Sequence, residues 1–477
     1  MRDDRRVGTC AHRDGRNGGH KCPPYAAMVG VALLAGCTSL MPQYERPAAP
    51  VAAAFPYPAA TEGTPAAQLE WQRFFADERL RGLIAAALVD SRDLRIAMLN
   101  VQQARAQYDI RNADRLPSVG AAVNVSRQPS ATTGDQVSSF QVGLALTAWE
   151  IDFFGRIASL SEAALAQFLA SEEGRKAAQV TLVASVASTW LALVADEELL
   201  ALTRQTLATR EETLRLVRLR FDNGVSSELD LRLAQSLAET ARAALAQQQR
   251  SRAQNLNALA LLTGRPVPTD LQTGTTLAAV TLPDVPAGTP SDVLVARPDV
   301  RQAEQQLVAA NANIGAARAA FFPRITLTAG LGTASRQLSG LFESGSWGYT
   351  VAPSLLQPIF DAGRNQANLA SARVARDIAV AQYERVIQGA FREVSDALAG
   401  RATLTEQLQA QAAVAEAEAG RVRLSQMRFD AGVSSTLDVL DAQRSLFTAR
   451  QAEIQTRLAR LQNQVQLYRV LGGGWGP

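Results

Sequence analysis

The chain has almost none of the side chains on which most enzyme active sites depend. All of its histidines and cysteines lie within the first 37 residues, namely Cys10, His12, His20, Cys22 and Cys37. The rest of the chain offers no imidazole base, no thiol nucleophile and no His or Cys metal ligand. Lysine is nearly absent too, because Lys176 is the only one after Lys21. The sequence therefore predicts a protein that is not an enzyme and that holds no metal or organic cofactor.

An excess of positive charge is also lacking over most of the chain. The formal net charge of the 477 residues is +3, and residues 1–36 alone account for it with six Lys/Arg and three Asp. Binding to nucleic acid needs a basic face, so a neutral chain argues against a nucleic-acid partner. With 47% apolar and 19% charged residues, the composition is that of a folded protein rather than a disordered one.

The N-terminus carries a short apolar run, residues 26–35, followed by Gly36 and Cys37. Ten residues are too few to cross a bilayer, which needs about 20, but they fit the apolar core of a signal peptide. The sequence Leu-Ala-Gly-Cys at 34–37 resembles a bacterial lipobox. We therefore expect residues 1–36 to be a lipoprotein signal peptide, Cys37 to be lipidated, and the Pro/Ala-rich residues 37–70 to form an extended tether. The alternative is a buried apolar helix with a free cysteine.

The chain contains an internal duplication. The sequence Arg-Phe-Asp-Asn-Gly-Val-Ser-Ser-Glu-Leu-Asp at 220–230 returns as Arg-Phe-Asp-Ala-Gly-Val-Ser-Ser-Thr-Leu-Asp at 428–438. The same offset of 208 residues pairs Gly155-Arg156 with Gly363-Arg364. We therefore expect two copies of one unit. The predicted boundaries are a first repeat at 71–264, a linker at 265–297, a second repeat at 298–472 and a tail at 473–477.

Long helices are predicted in both copies. No proline occurs between Pro129 and Pro266, or between Pro358 and Pro477. In each copy we expect a helix of about 24 residues, a β-hairpin, a helix of about 68 residues, a Gly-Val-Ser-Ser turn and a last helix of about 36. Apolar residues follow seams with spacings of three, four and seven, which is typical of helices packed side by side.

The hairpins are predicted at about 117–149 and 323–357. Apolar residues alternate there with small or polar ones, over strands of about 10 residues. This pattern fits the lipid-facing wall of a β-barrel, and a soluble hairpin is the alternative. Pro353 predicts a bulge or a strand end. Four strands cannot close a barrel, so several chains must share one. Two chains would supply eight strands and three would supply twelve, and only a barrel wider than about eight leaves an aqueous lumen, which favours three for a channel.

Several motifs together resemble TolC-family outer membrane factors, and most closely the OprM/NodT-type lipoproteins. They are the lipobox, Tyr-Glu-Arg-Pro at 44–47, the residues Trp71, Phe74, Asp77 and Leu80, the duplication, and Gly432 followed by Leu-Asp-Val-Leu-Asp-Ala at 437–442. The resemblance implies a mainly α-helical fold with a β-barrel part. Internally duplicated helical hairpins would form a trimeric α-barrel, and four strands per chain would contribute to a shared twelve-strand transmembrane barrel.

The resemblance also implies a function and partners. The protein would be a homotrimeric, passive exit duct in the bacterial outer membrane for drug-like small molecules. It would dock on a periplasmic adaptor (a membrane fusion protein) and an inner-membrane pump of the resistance-nodulation-division class. A type I protein-secretion channel and a metal-ion efflux channel are alternatives within the same class. A periplasmic adaptor or coiled-coil scaffold outside the membrane is the alternative from a different class.

Two places are expected to carry the mechanism. By resemblance, the adaptor-contact tips are the two turns Gly224-Val225-Ser226-Ser227 and Gly432-Val433-Ser434-Ser435, which also suit plain helix–helix connections. Asp438 and Asp441 match the aspartates that constrict the tunnel mouth in the family, where three-fold repetition makes rings of like charge. Asp438 also fits a helix cap, as does its counterpart Asp230. Asp441 corresponds to Leu233, so the gate role is expected in one copy only. Relatives often carry an arginine at the position of Ser434, so their salt-bridge latch is expected to be absent.

Overall fold

A computed structural model describes residues 39–57, 63–129, 131, 134–268, 275–290, 293 and 296–475 of the chain. The predicted signal peptide and Cys37 lie outside these described residues. The chain divides into two compact units. A strand unit contains residues 118–156 and 319–358, and a helical unit contains the described parts of 41–117, 157–318 and 359–475. Each unit is taken by itself below.

The helices reproduce the internal duplication. In chain order they are α1 Trp71–Phe74, α2 Glu78–Asp90, α3 Arg92–Ala113, α4 Arg156–Asp222, α5 Glu228–Thr263, α6 Pro298–Ala319, α7 Arg364–Asp430 and α8 Thr436–Val470. Helices α3 and α6 both have 22 residues, α4 and α7 both have 67, and α5 and α8 have 36 and 35. The two copies thus share one plan of short helix, hairpin, very long helix, tight turn and final helix.

The main core of the helical unit joins both copies to the N-terminal helices. Trp190 of α4, Leu398 of α7 and Tyr468 of α8 are buried in one cluster together with Phe74 of α1. The Tyr468 ring stacks on Phe74 at 4.0 Å between centroids, and its hydroxyl donates to the Leu69 carbonyl oxygen. A helix of 67 residues is stable only with such neighbours, because most helical stability comes from tertiary packing.

Helix α4 is long and apolar enough to cross a membrane by length and composition alone, but 56% of its most apolar stretch is buried inside the protein. Residues of α4 from Leu182 to Ala195 supply a large part of the main core. The hydropathy of α4 is therefore what a core helix requires.

The segment 41–57 contains no helix or strand, and its side chains contact the helices of the helical unit. Arg46 donates two hydrogen bonds to the Glu304 carboxylate of α6, at 2.7 and 2.9 Å, and the Tyr44 hydroxyl donates to the same group at 3.2 Å. The Phe55 ring stacks on Phe391 of α7 at 5.2 Å. Side-chain contacts with α6 and α7 therefore hold this segment against the helices.

The strand unit is a four-stranded antiparallel sheet in the order β1-β2-β3-β4. The strands are β1 Val119–Pro129, β2 Gln136–Glu150, β3 Arg324–Ser335 and β4 Trp347–Leu356. The first hairpin pairs with the second through β2 and β3. Within the described residues, β1 and β4 each pair on one side only, so the sheet has two open edges.

The two faces of the sheet differ in chemistry. One cross-strand row consists of Ala121, Leu144, Leu331 and Tyr349, whereas the next row, on the opposite face, consists of Ala122, Gly143, Gly332 and Gly348. The face with small residues lines a shallow concavity of about 220 Å³. A face of small residues opposite an apolar face is what a segment of a membrane barrel wall requires.

The expectation that Pro353 needs a bulge or a strand end is wrong. Pro353 lies inside β4, pairs with Leu327, and leaves the register between β3 and β4 unbroken. The physical reason is that β4 is an edge strand, where the missing N–H of proline can point away from the ladder. The register shift lies instead in β2, between Leu146 and Trp149, where Ala148 has a φ of 47°.

Candidate functional site

The two predicted tip turns have the same backbone structure. In the first, Gly224 has a φ of 72°, its N–H donates to the Phe221 carbonyl at 2.8 Å, and the Val225 N–H donates to Arg220 at 2.8 Å. In the second, Gly432 has a φ of 75° and makes the corresponding pair of bonds with Val433, at 2.9 and 3.0 Å. This is a Schellman motif, which ends α4 and α7 and satisfies their last carbonyl groups.

Serine and aspartate then start the following helix in each copy. Ser227 and Ser435 are the N-cap residues of α5 and α8, each in a reciprocal capping box with the aspartate three residues later, Asp230 or Asp438. The Ser434 hydroxyl donates to Asp438 at 2.7 Å, as the Ser226 hydroxyl does to Asp230 at 3.2 Å. The Ser434 hydroxyl, together with the Ser435 N–H and hydroxyl, lowers the pKa of Asp438. The structure therefore gives Asp438 a capping role, and this role is repeated in both copies.

Asp441 has a different environment, found in the second copy only. It lies one turn into α8, where Arg421 of α7 donates to its carboxylate at 3.1 Å and Arg444 donates at 2.5 Å. Arg421 also donates to Glu418 at 2.7 Å. The four charges of this network cancel within the chain. Asp441 is thus an ionic link between α7 and α8, and its charge is compensated.

The arginines of this network were not predicted from the sequence. The latch was expected to be absent because Ser434 occupies the usual arginine position. Arg444 is three residues from Asp441, and this spacing on a helix could have pointed to the pair. Arg421 is 20 residues away on another helix, and nothing local in the sequence connects it to Asp441.

The tips expose apolar side chains at matching positions in both copies. Val225 and Val433 of the turns are 68% and 66% exposed, and Leu229 and Leu437 at the starts of α5 and α8 are 76% and 52% exposed. Water-exposed apolar residues are individually common, but a repeated cluster at a helix tip suggests a binding surface. Beneath them, Leu440 of α8 is buried against Val217 of α4 and Leu237 of α5. The exposed residues therefore sit on a packed base.

The described residues contain no group of three or more His, Cys, Asp or Glu side chains placed to hold a metal ion. The chemistry of the tips is instead capping, ion pairing and apolar contact.

Comparison with known proteins gives one consistent result. The sequence profile described as outer membrane efflux protein matches residues 83–265 and 289–473. The chain is similar to the toluene efflux pump outer membrane protein TtgI of Pseudomonas putida, with 47% identity over 460 residues, which are 94% of this chain and 97% of TtgI. It is also 45% identical to the outer membrane protein OprJ of Pseudomonas aeruginosa over 457 residues, 93% of this chain and 95% of OprJ.

Solved structures with the same fold agree with the sequence relatives. The open state of the MtrE outer membrane channel of Neisseria gonorrhoeae superposes with a TM-score of 0.85 at 42% identity, covering 92% of this chain and 99% of MtrE.

Proposed function

Because the chain belongs to the family of outer membrane efflux proteins, we propose that three copies form a passive, non-enzymatic exit duct for small molecules, gated at the helix tips. The resemblance to TolC-family factors and the fold class of long duplicated helices with a four-stranded sheet are confirmed. The protein is an outer membrane component of an efflux system. The alternative of a scaffold outside the membrane is thereby wrong.

The two open edges of the sheet are the main support for the proposed trimer. In hydrocarbon no water satisfies the unpaired N–H and C=O groups of an edge, and each such group costs several kcal/mol, about 2–7. Within the described residues, β1 and β4 leave one edge each. Pairing β4 of one copy with β1 of the next removes every edge, and three copies give twelve strands around an aqueous lumen. The concave face of small residues, such as Gly143 and Gly332, would line that lumen.

The class of solute is proposed from the relatives. TtgI is described as part of a toluene efflux pump, and ArpC of Pseudomonas putida as part of an antibiotic efflux pump, at 46% identity. We propose solvents and drug-like compounds as the solutes here, in preference to proteins or metal ions. The channel takes no cofactor in this proposal except the lipid on its N-terminus.

Cys37 is the proposed lipid anchor. The segment that follows it is bound to the helical unit through Arg46 and Glu304, so the anchored end of the chain would be held in a fixed place. Replacing Cys37 with Ser should abolish incorporation of labelled palmitate while leaving the folded trimer intact. Palmitate in the Cys37→Ser variant would contradict the assignment.

The partners are proposed from the tips. A periplasmic adaptor would bind the exposed apolar side chains of the turns 224–227 and 432–435, and an inner-membrane pump of the resistance-nodulation-division class would supply energy through it. The similar exposure of Val225 and Val433 supports this assignment. Each chain has two similar tips, so a trimer would present six of them to the adaptor.

Conductance of the purified protein tests the duct directly. On gels, the purified acylated protein should run as a heat-modifiable trimer. In a planar bilayer, the same protein should pass a single-channel current. A protein that remains monomeric in lipid, or a trimer that passes no current under any voltage or salt, would overturn the proposal.

A further inference from the structure

A cavity of about 780 Å³ lies between α5 and α8, and the proposed gate residue Asp441 is part of its lining. Sites for small molecules usually measure about 300–1,000 Å³. Its lining combines apolar side chains, such as Leu237 and Phe447, with uncharged polar ones, such as Gln248 and Gln451. The proposed gate residue Asp441, its partner Arg444 and Leu437 of the tip also line it. The cavity thus has the size and mixed polarity of a ligand site.

Arg210 of α4 is the unusual member of the lining, because it is a buried cation without a carboxylate partner among the described residues. It is 3% exposed. Its Nη1 donates to the neutral carbonyl of Leu237 at 2.9 Å, its guanidinium carbon lies 5.1 Å from the centre of the Phe447 ring, and its Nε has no hydrogen-bond partner. Burial lowers the pKa of this guanidinium. A buried charge of this kind is costly unless an opposite charge joins it.

The acid in the same cavity is already paired. Asp441 is bound by Arg421 and Arg444, so it does not serve Arg210. The duplication gives a further contrast, since Arg210 corresponds to Glu418 and Phe447 to Glu239 at the offset of 208 residues. The combination of a buried cation and an aromatic wall therefore occurs at one of the two equivalent places in the chain.

We infer that this cavity binds organic acids with an apolar body, with the carboxylate of the ligand paired to Arg210. A carboxylate placed against the Arg210 guanidinium would compensate the buried charge through charge-assisted hydrogen bonds. The apolar body would lie against Phe447 and Leu237, and the glutamine amides would bind polar substituents. This inference rests on the proposed function, in that a solute crossing the tips would meet the cavity beside the gate.

The test is a binding measurement on the whole trimer in lipid nanodiscs, using 4-phenylbutyrate and its uncharged analogue 4-phenylbutanol in a titration calorimeter. The acid should bind about tenfold to a hundredfold more tightly than the alcohol, as expected for charge-assisted hydrogen bonds. Arg210→Gln should remove this preference, and Arg210→Lys should retain part of it. The matched control is Arg204→Gln, at an exposed position of the same helix, which should bind like the parent.

Equal affinity of the parent for acid and alcohol would overturn the inference, as would a preference that survives in Arg210→Gln. If Arg210→Gln fails to fold, Thr240→Phe fills the cavity from α5 without changing Arg210, and it should lose binding of the acid. Binding that persists in Thr240→Phe would equally overturn the inference. Single-channel current separates the two proposals. A trimer that conducts but shows no acid preference refutes this site alone, whereas absence of current refutes the duct.

Discussion

At the scale of single residues, the two aspartates predicted to form the gate have different environments. Asp438 makes the same capping contacts as Asp230 in the other copy, so its contribution to a gate would come through holding the start of α8 in place. Asp441 joins α8 to α7 through Arg421. Because this pair is 41% and 39% exposed, its strength is modest, at about 1 kcal/mol or less. A link of that size suits the proposed gate, which an adaptor would open.

Removal of Asp441 should therefore raise the conductance of the resting channel. We expect Asp441→Ala to increase the open population by up to about fivefold, which corresponds to about 1 kcal/mol. It should also weaken cation selectivity, because Arg421 and Arg444 would be left without their shared carboxylate. Single-channel recording in planar bilayers measures both effects.

The first copy provides the matched control for that experiment. Glu211 of α4 is bound by Arg242 of α5 at 2.8 Å, so it too links a long helix to the helix that follows it. Glu211→Ala should leave conductance unchanged, because the first copy has Leu233 in place of Asp441 and is not expected to contribute to the gate. If both variants open the channel equally, or if Asp441→Ala has no effect, Asp441 is not a gate residue.

The residue scale also shows where sequence reasoning stops. Asp441 stood out because its duplicated position is Leu233, a comparison within the chain. Its partner Arg421 did not, because the contact depends on how α7 and α8 pack along their length. Arg210 was missed for the same reason, since only the structure shows that its charge is buried.

At the scale of elements, the duplicated tips combine a rigid backbone with exposed apolar side chains. The Schellman turns and capping boxes satisfy the backbone at each tip. Val225 and Val433 thereby point into solvent. The space around the adjacent Gly224 and Gly432 is open as well. A surface that is preformed in this way loses little entropy when a partner binds.

Charge at the tips should therefore disrupt docking and leave the channel itself unchanged. We expect the double variant Val225→Asp and Val433→Asp to abolish efflux, so that cells carrying it are as sensitive to solvents and antibiotics as a deletion strain. The purified variant should still form a conducting trimer. The control is Val225→Ala with Val433→Ala, which keeps the surface apolar and should retain most resistance. Full resistance in the aspartate variant would show that the adaptor does not contact these turns.

Elements were the scale at which the sequence was most informative. Helices without proline and a repeat at a fixed offset indicated α4 and α7. Alternating residues indicated the first three strands, and the pattern of β4 was less regular. The expectation for Pro353 was wrong because it assumed that β4 has hydrogen-bonded neighbours on both sides. The edge position of β4 follows only from the strand order, which the sequence does not show. The clamp of Arg46 on Glu304 is likewise a long-range contact, which composition alone could not indicate.

At the scale of the whole molecule, Pro353 has a consequence for assembly. Successive residues of an antiparallel strand direct their N–H groups to opposite sides. Because Pro353 pairs with β3 without a break, its ring nitrogen faces the open edge of β4. The N–H of Val351, two residues earlier, must then face the same way. In the proposed trimer that N–H would donate to β1 of the neighbouring copy.

Val351→Pro should therefore separate folding of the chain from closure of the barrel. The substitution removes no bond between β3 and β4, so the sheet within one copy should form. It does remove a bond to the next copy and leaves a carbonyl unsatisfied in lipid, which costs several kcal/mol, about 2–7 for each buried group. Gel analysis of unheated samples should show loss of the trimer band, whereas Val351→Ala should keep it. A stable trimer in Val351→Pro would mean that the neighbouring copy does not pair along β4, and a different closure of the sheet would be required.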